Sequence, residues 1–270
     1  LPKASPICKC TQPLRAAHRG GCGSLNFTPL FCCLLNRSAM NAAAPTPPLA
    51  PSERADLIMK DMVRWLERAV IGLNLCPFAK GVHAKGQIHY AVSAATDAVA
   101  LAQDLRRELA DLAAAPAEVR DTTLLMAPDC LQEFLEFNDF LGVAEDVLEE
   151  LDLDGTLQIA SFHPQFQFAG TDAGDVTNCT NRAPYPTLHL LREDSIDRAV
   201  QAYPEAEAIY ERNMEVLEKL GMPGWQALDV GVPGHDSAIL VRPRLIASAK
   251  IVVNSRFLSL ARSPDFRCVK

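Results

Sequence analysis

From Glu53 to Leu73 apolar residues recur every three or four positions, so that Leu57, Ile58, Met62, Trp65, Leu66, Ala69 and Val70 share one helical face. Ser52 reads as the N-cap, with Glu53 in the first turn. Pro77 in LNLCPFAKG stops this helix, because the residue before a proline is pushed out of the α region. GQIHYAVS (86–93) alternates and predicts a strand. Thr96 then caps a helix over 97–114 with Val99, Leu101, Ala102, Leu105 and Leu109 inward. DTTLLMAP (121–128) is a short apolar strand ended by Pro128, 130–151 a long acidic helix, and TLQIASF (156–162) a third strand. An aperiodic stretch follows. Residues 187–191 return to an extended pattern, Asp194 or Ser195 caps a helix to Ala202, and Pro204 opens another to Leu220, closed by Gly221.

Strands separated by helices need crossovers. The expected fold is therefore α/β: a small, mainly parallel or mixed sheet of about four strands flanked by helices, with the last strand antiparallel at an edge. A single domain over 52–232 is the economical reading. In such sheets sites lie beyond the C-terminal ends of the strands, which puts Pro128 and the FHPQF turn on one rim.

Charge divides the chain unevenly. Residues 1–39 carry +5 with no acid and 235–270 carry +5, leaving −17 for 40–234 out of an overall −7. So acidic a body is a poor partner for nucleic acid or an anionic membrane. No apolar run reaches the eighteen or so residues a membrane span needs. Five of nine Cys precede residue 40, and the first Met is Met40. Residues 1–51 read as an extension or disordered leader, with a transit peptide and a Cys knot as rivals, and 233–270 as a basic tail. The body has only Cys76, Cys130 and Cys179, which suits reduced thiols in a cytoplasm.

The aperiodic stretch FHPQFQFAGTDAGDVTNCTNRAPYPTLHLLRE (162–193) carries the candidate chemistry. Phe162, Phe166, Phe168 and Tyr185 are apolar anchors that a disordered linker lacks. Arg182 is the first choice for a ligand contact, since a guanidinium forks onto carboxylate or phosphate. Asp175 would orient it, and Asn178, Asn181 and Tyr185 would add polar contacts. The competing structural reading makes Asn178 and Asn181 turn-formers and turns Arg182 inward onto Asp175. Cys76 would be a nucleophile or acid/base with His163 or His189 nearby, or else a half-buried structural thiol. A Cys/His/His zinc set from these residues has no paired spacing behind it. Dinucleotide, NTPase, zinc-protease and α/β-hydrolase signatures do not occur.

LNLCPFAKGV, FHPQFQFAG and DVTNCTNRAPYPTLHLLRE, with their flanking helices, resemble the bacterial family known as DUF1415, a domain of unknown function. The resemblance runs from the first helix to about Val232 and implies domain limits, without an activity, fold or cofactor. The residues themselves lead to three expectations. One is an enzyme acting on a small anionic metabolite, with Cys76, His163 and His189 catalytic and Arg182 on the anion. A second is a non-catalytic small-ligand or metal-binding regulatory module. The third is a structural loop serving a homo-oligomer interface.

Overall fold

The computed structural model describes residues 50–202 and 208–231. The expected leader before residue 50, the tail after 232 and the helix start at Pro204 lie outside the described residues. The first helix, α1, spans Pro51–Trp65. It begins two residues earlier than expected: Pro51 occupies the first helical position, where its missing N–H costs nothing, and Ser52 lies inside the first turn rather than at the cap. The Glu53 carboxylate accepts the Ala50 N–H at 3.2 Å.

The helix then widens into a π-helical turn, Leu66–Ile71. Gly72 N–H reaches Glu67 O (3.0 Å) and Leu75 N–H reaches Val70 O (2.9 Å), each spanning five residues instead of four. The wider turn keeps Leu66, Ala69 and Val70 all buried against the sheet. It also brings the backbone of Arg68 so close to Gly72 that a Cβ there would overlap the Arg68 carbonyl oxygen. Gly72→Ala is therefore expected to destabilise the protein by about 1–3 kcal/mol in urea unfolding, as overpacking does. A neutral result would mean that the π turn is not fixed by its glycine.

A short helix not anticipated from the sequence, α2 (Ala79–Ala84), follows Pro77 and leads into β1 (Ile88–Val92). Asp97, not Thr96, caps α3 (Ala98–Ala114), accepting the Ala100 N–H at 2.9 Å. Val99 sits on the outer side of that first turn and is 71% exposed, against the expected inward position. Strand β2 is Thr122–Met126, and α4 starts only at Phe134, running to Glu150. Pro128 and the left-handed Leu131 (φ 53°) hold the preceding segment out of the helix. Strand β3 (Leu157–Phe162), a 3₁₀ turn (Val176–Asn181), β4 (Thr187–Arg192), α5 (Glu193–Ala202) and α6 (Ile209–Ala227) complete the order. Gly221 (φ 67°) interrupts α6 instead of ending it. The helix resumes at once because Pro223 falls in the first turn after the break, where proline is tolerated.

The sheet order is β1-β2-β4-β3, with β1 parallel to β2 and β4 antiparallel to both β2 and β3. The fold is thus α/β with a mixed four-stranded sheet. The last strand is antiparallel as expected, but it lies in the interior. Segment 163–186 carries the chain along the rim at the C-terminal ends of β1, β2 and β3, so the next strand runs backwards into the gap between β2 and β3. Helices α3 and α4 cover one face through Leu125, Leu157, Ile159, Leu188 and Leu190. Helix α1 and the π turn cover the other through Ile88, Tyr90, Leu124, Met126 and Phe162. At the far end Arg192 donates to the carbonyls of Leu112 (2.6 Å) and Arg120 (3.1 Å), tying β4 to the end of α3. Among the described residues no helix is long and apolar enough to cross a membrane.

Candidate functional site

The rim segment is built largely to hold itself. His163 is fully buried between the rings of Phe134 (5.5 Å) and Phe137 (5.1 Å). Its Nδ1 accepts the Gln165 N–H at 3.0 Å, so Nε2 carries the proton and donates to Leu131 O at 3.1 Å. Burial pulls its pKa down to about 4. Both ring nitrogens are occupied by backbone, and the imidazole pins the FHPQF turn to the loop after β2.

Asn178 has no exposed surface. Its Oδ1 accepts from Phe168 N–H (2.8 Å) and the Thr171 hydroxyl (2.9 Å), and its Nδ2 donates to Asp172 O (2.9 Å). Asn181 Nδ2 donates to Ser161 O at 3.2 Å, and its carbonyl accepts the His163 N–H. Asp175 caps the 3₁₀ turn, taking the Thr177 N–H (2.8 Å) and hydroxyl (2.7 Å). The Arg182 guanidinium donates to the carbonyls of Phe166 (3.1 Å) and Ala173 (2.7 Å). It braces the segment from within, on backbone rather than on Asp175.

The remaining candidates face the α1 side of the sheet. His189 points away from Leu188 and Leu190, level with Leu124 on β2 and Ala160 on β3. It is half-buried, its ring 5.9 Å from that of Phe162, and burial alone pulls its pKa to about 4. At pH 7 it is a neutral imidazole. Phe162 in turn meets Trp65 edge-on at 5.2 Å. Tyr185 donates its hydroxyl to Asp61 at 2.8 Å, and Arg64 pairs with the same carboxylate at 2.9 Å. Burial and that carboxylate hold the Tyr185 phenol well above its ordinary value.

Cys76 packs into the same apolar cluster as Trp65, Phe162 and Tyr185. It lies in the connection between the π turn and α2, and the Phe78 and Ala79 N–H groups point at its sulfur. Burial outweighs them and pushes the thiol up, so at neutral pH it is a thiol and not a thiolate.

The structure therefore separates the expected set. Cys76, Tyr185 and His189 gather on the α1 face, whereas His163, Asn178, Asn181 and Arg182 are spent inside the rim segment. Among the described residues no group of three or more His, Cys, Asp or Glu side chains stands where a metal ion could be held.

Two polar groups that sequence reasoning passed over belong to the α1 face. Trp65 Nε1 and Tyr90 Oη are buried with no hydrogen-bond partner among the described residues. A buried orphan of this kind costs about 1–3 kcal/mol, which makes two on one face informative. The signal was present for Tyr90: alternation in QIHYAV sets it on the inward face with Ile88 and Val92. Trp65 gave none, since its place on the helical stripe explains the ring but not the N–H. Burial, then the charge of Glu67, raises the Tyr90 phenol to about 12. Glu67 itself pairs with His83 at 3.1 Å.

No curated protein and no solved structure gives a significant match to the chain. A family model does, over residues 57–227, a span that takes in α1 from Leu57 onwards, the whole sheet, the rim segment and α6. The chain belongs to DUF1415, a family of proteins of unknown function.

Proposed function

We propose that this protein binds a small organic ligand on the α1-facing side of its sheet, in the apolar cluster around Trp65, Tyr90, Phe162 and His189, with Cys76 and Tyr185 at its margin. The observation that carries the reading is the pair of buried, unpartnered polar atoms, Trp65 Nε1 and Tyr90 Oη, on the face that also holds the neutral His189. An aromatic, mostly apolar lining with a few convergent polar groups is the usual make-up of a small-molecule site. An anion held by Arg182 fits less well, because that guanidinium already serves two carbonyls of its own segment.

Catalysis on the same ligand is the second reading, favoured by His189. The His189 imidazole is unprotonated at pH 7 and so able to accept a proton, as a weak base while burial holds its pKa down, and Cys76 offers a protonated thiol in the adjoining cluster. In that case His189→Gln abolishes turnover while leaving ligand binding nearly intact.

The test is a thermal-shift screen of the full chain against small metabolites. A ligand at about 100 times its Kd is expected to raise Tm by about 5–10 °C. Tyr90→Phe, which removes one of the two orphaned groups, should cut that shift. A library without hits, or hits unchanged in Tyr90→Phe, would remove this face as the site.

A further inference from the structure

We infer that the ligand of this face is uncharged: a flat, largely apolar molecule that accepts a hydrogen bond from the Trp65 indole N–H and exchanges one with the Tyr90 hydroxyl. The inference rests on the binding site proposed above and adds the chemical class it takes.

Alternation through the paired register puts Tyr90, Leu124, His189 and Ala160 in one row across the sheet, and Val92, Met126, Thr187 and Phe162 in the next. The remaining row on this face is Ile88, Thr122, Leu191 and Gln158. No Lys, Arg, Asp or Glu occurs among these positions. A sheet face of twelve residues without one formal charge is not built to neutralise an ion.

The arginines around this face are already engaged. Arg54 forks onto Asp129, with one limb at 2.6 Å. Arg64 pairs with Asp61 and also donates to Asp229 O at 2.7 Å. Arg68 donates to Leu228 O at 2.9 Å and pairs with Asp229. Arg182 is turned onto the carbonyls of its own loop. An acidic ligand would have to leave water for an apolar cluster whose neighbouring arginines are already engaged, while Lys60 and Lys80 are exposed to solvent, and an unpaired buried charge is among the costliest groups a protein can hold. A cationic ligand meets the same difficulty. Asp61 is satisfied by Arg64 and Tyr185, and Glu67 by His83.

Trp65 stands edge-on to Phe162 at 5.2 Å, and Phe162 lies tilted against His189 at 5.9 Å, so three flat rings pack in a row along this face. A planar body stacks on such a lining, and its polar edge then meets the indole N–H. The protonation states agree with this reading: Tyr90 keeps its proton, and His189 stays neutral at pH 7.

The chain has two tryptophans, Trp65 and Trp225, so the ¹⁵N-indole spectrum of the full-length protein contains two side-chain signals. Trp225 packs at the edge of the same cluster, so Trp225→Phe, which keeps an aromatic ring there, assigns them, and the titrations are read in the wild type. The probes are matched pairs differing in charge alone: benzamide with benzoate, and nicotinamide with nicotinate. The amides are expected to move the Trp65 signal with a Kd at least tenfold lower than the acids, and Tyr90→Phe should weaken the amides several-fold with the far-ultraviolet spectrum unchanged. Acids that bind as tightly as the amides, or tighter, would overturn the uncharged class and leave the site standing. If neither member of any pair moves the Trp65 signal up to its solubility limit, buried water serves the two orphaned groups, and both the class and the site are overturned.

Discussion

Acidifying the protein from pH 7 to pH 4 is expected to remove about 3 kcal/mol of folding stability through His163 alone. The folded-state pKa is about 4, against an ordinary value of 6.5. The group is depressed on folding, so in that window the unfolded chain binds more protons than the native one, and stability rises with pH. The contribution is complete above about pH 6.5 and declines as pH falls towards 4. The cause is local: protonating Nδ1 would set an N–H against the Gln165 N–H that it now accepts, in a slot closed by Phe134 and Phe137. His189 adds a loss of the same sign, because burial depresses it too. Urea unfolding at half-unit steps between pH 4 and pH 7 measures the slope. In His163→Gln the slope should fall clearly below that of the wild type, whatever the variant's absolute stability. An unchanged slope would mean that His163 does not titrate with unfolding.

Asn178→Ala is expected to cost about 3–5 kcal/mol, the largest effect of any single side chain in the rim segment. One amide satisfies Phe168 N–H, the Thr171 hydroxyl and Asp172 O, with no surface exposed. Truncation leaves a backbone donor and a backbone acceptor without partners where water does not readily reach them, at about 1–3 kcal/mol each, and adds a small cavity. Asn178→Asp keeps both acceptor contacts and loses only the donation to Asp172, so its cost should be clearly smaller at neutral pH. If Asn178→Ala unfolds within about 0.5 kcal/mol of the wild type, the segment is not held by this residue.

The two results bear on function as well as stability. A rim segment that spends Asn178 and Arg182 on its own backbone, and His163 on its own backbone and that of Leu131, is a rigid wall. It fixes Phe162 at one end and Tyr185 at the other, and both of those side chains belong to the α1-facing cluster. The segment can therefore serve a site without supplying its polar groups. This accounts for a run rich in polar residues that leaves little of its polarity directed outward.

Hydrophobic period alone located all four strands to within about two residues and gave the α/β class. The reason is physical: burying one face of a strand or helix imposes a repeat of two or of three to four, and that repeat is written residue by residue. The same repeat set His189 opposite Leu188 and Leu190, and Tyr90 beside Ile88 and Val92. Position in the helix was less legible. Whether Thr96 or Asp97 caps α3, and whether α1 ends cleanly or widens into a π turn, turns on local hydrogen bonds worth a kcal/mol or so, which packing can override.

Tertiary structure decided the rest. Strand order, with β4 entering between β2 and β3, depends on how 163–186 crosses the rim, and a segment without periodicity carries no record of its path. The partners of His163, Arg182 and Asn178 are backbone groups, and any sequence can supply a carbonyl or an N–H, so no motif marks them. Likewise only the packed sheet could show that Trp65 Nε1 and Tyr90 Oη lack partners, since that is a property of everything around them. The sequence by itself determined most of the residues that face inward, with Leu57 and Val99 as exposed exceptions. What those inward residues meet was settled by non-local packing, because hydrogen-bond partners distant in the chain leave no pattern along it.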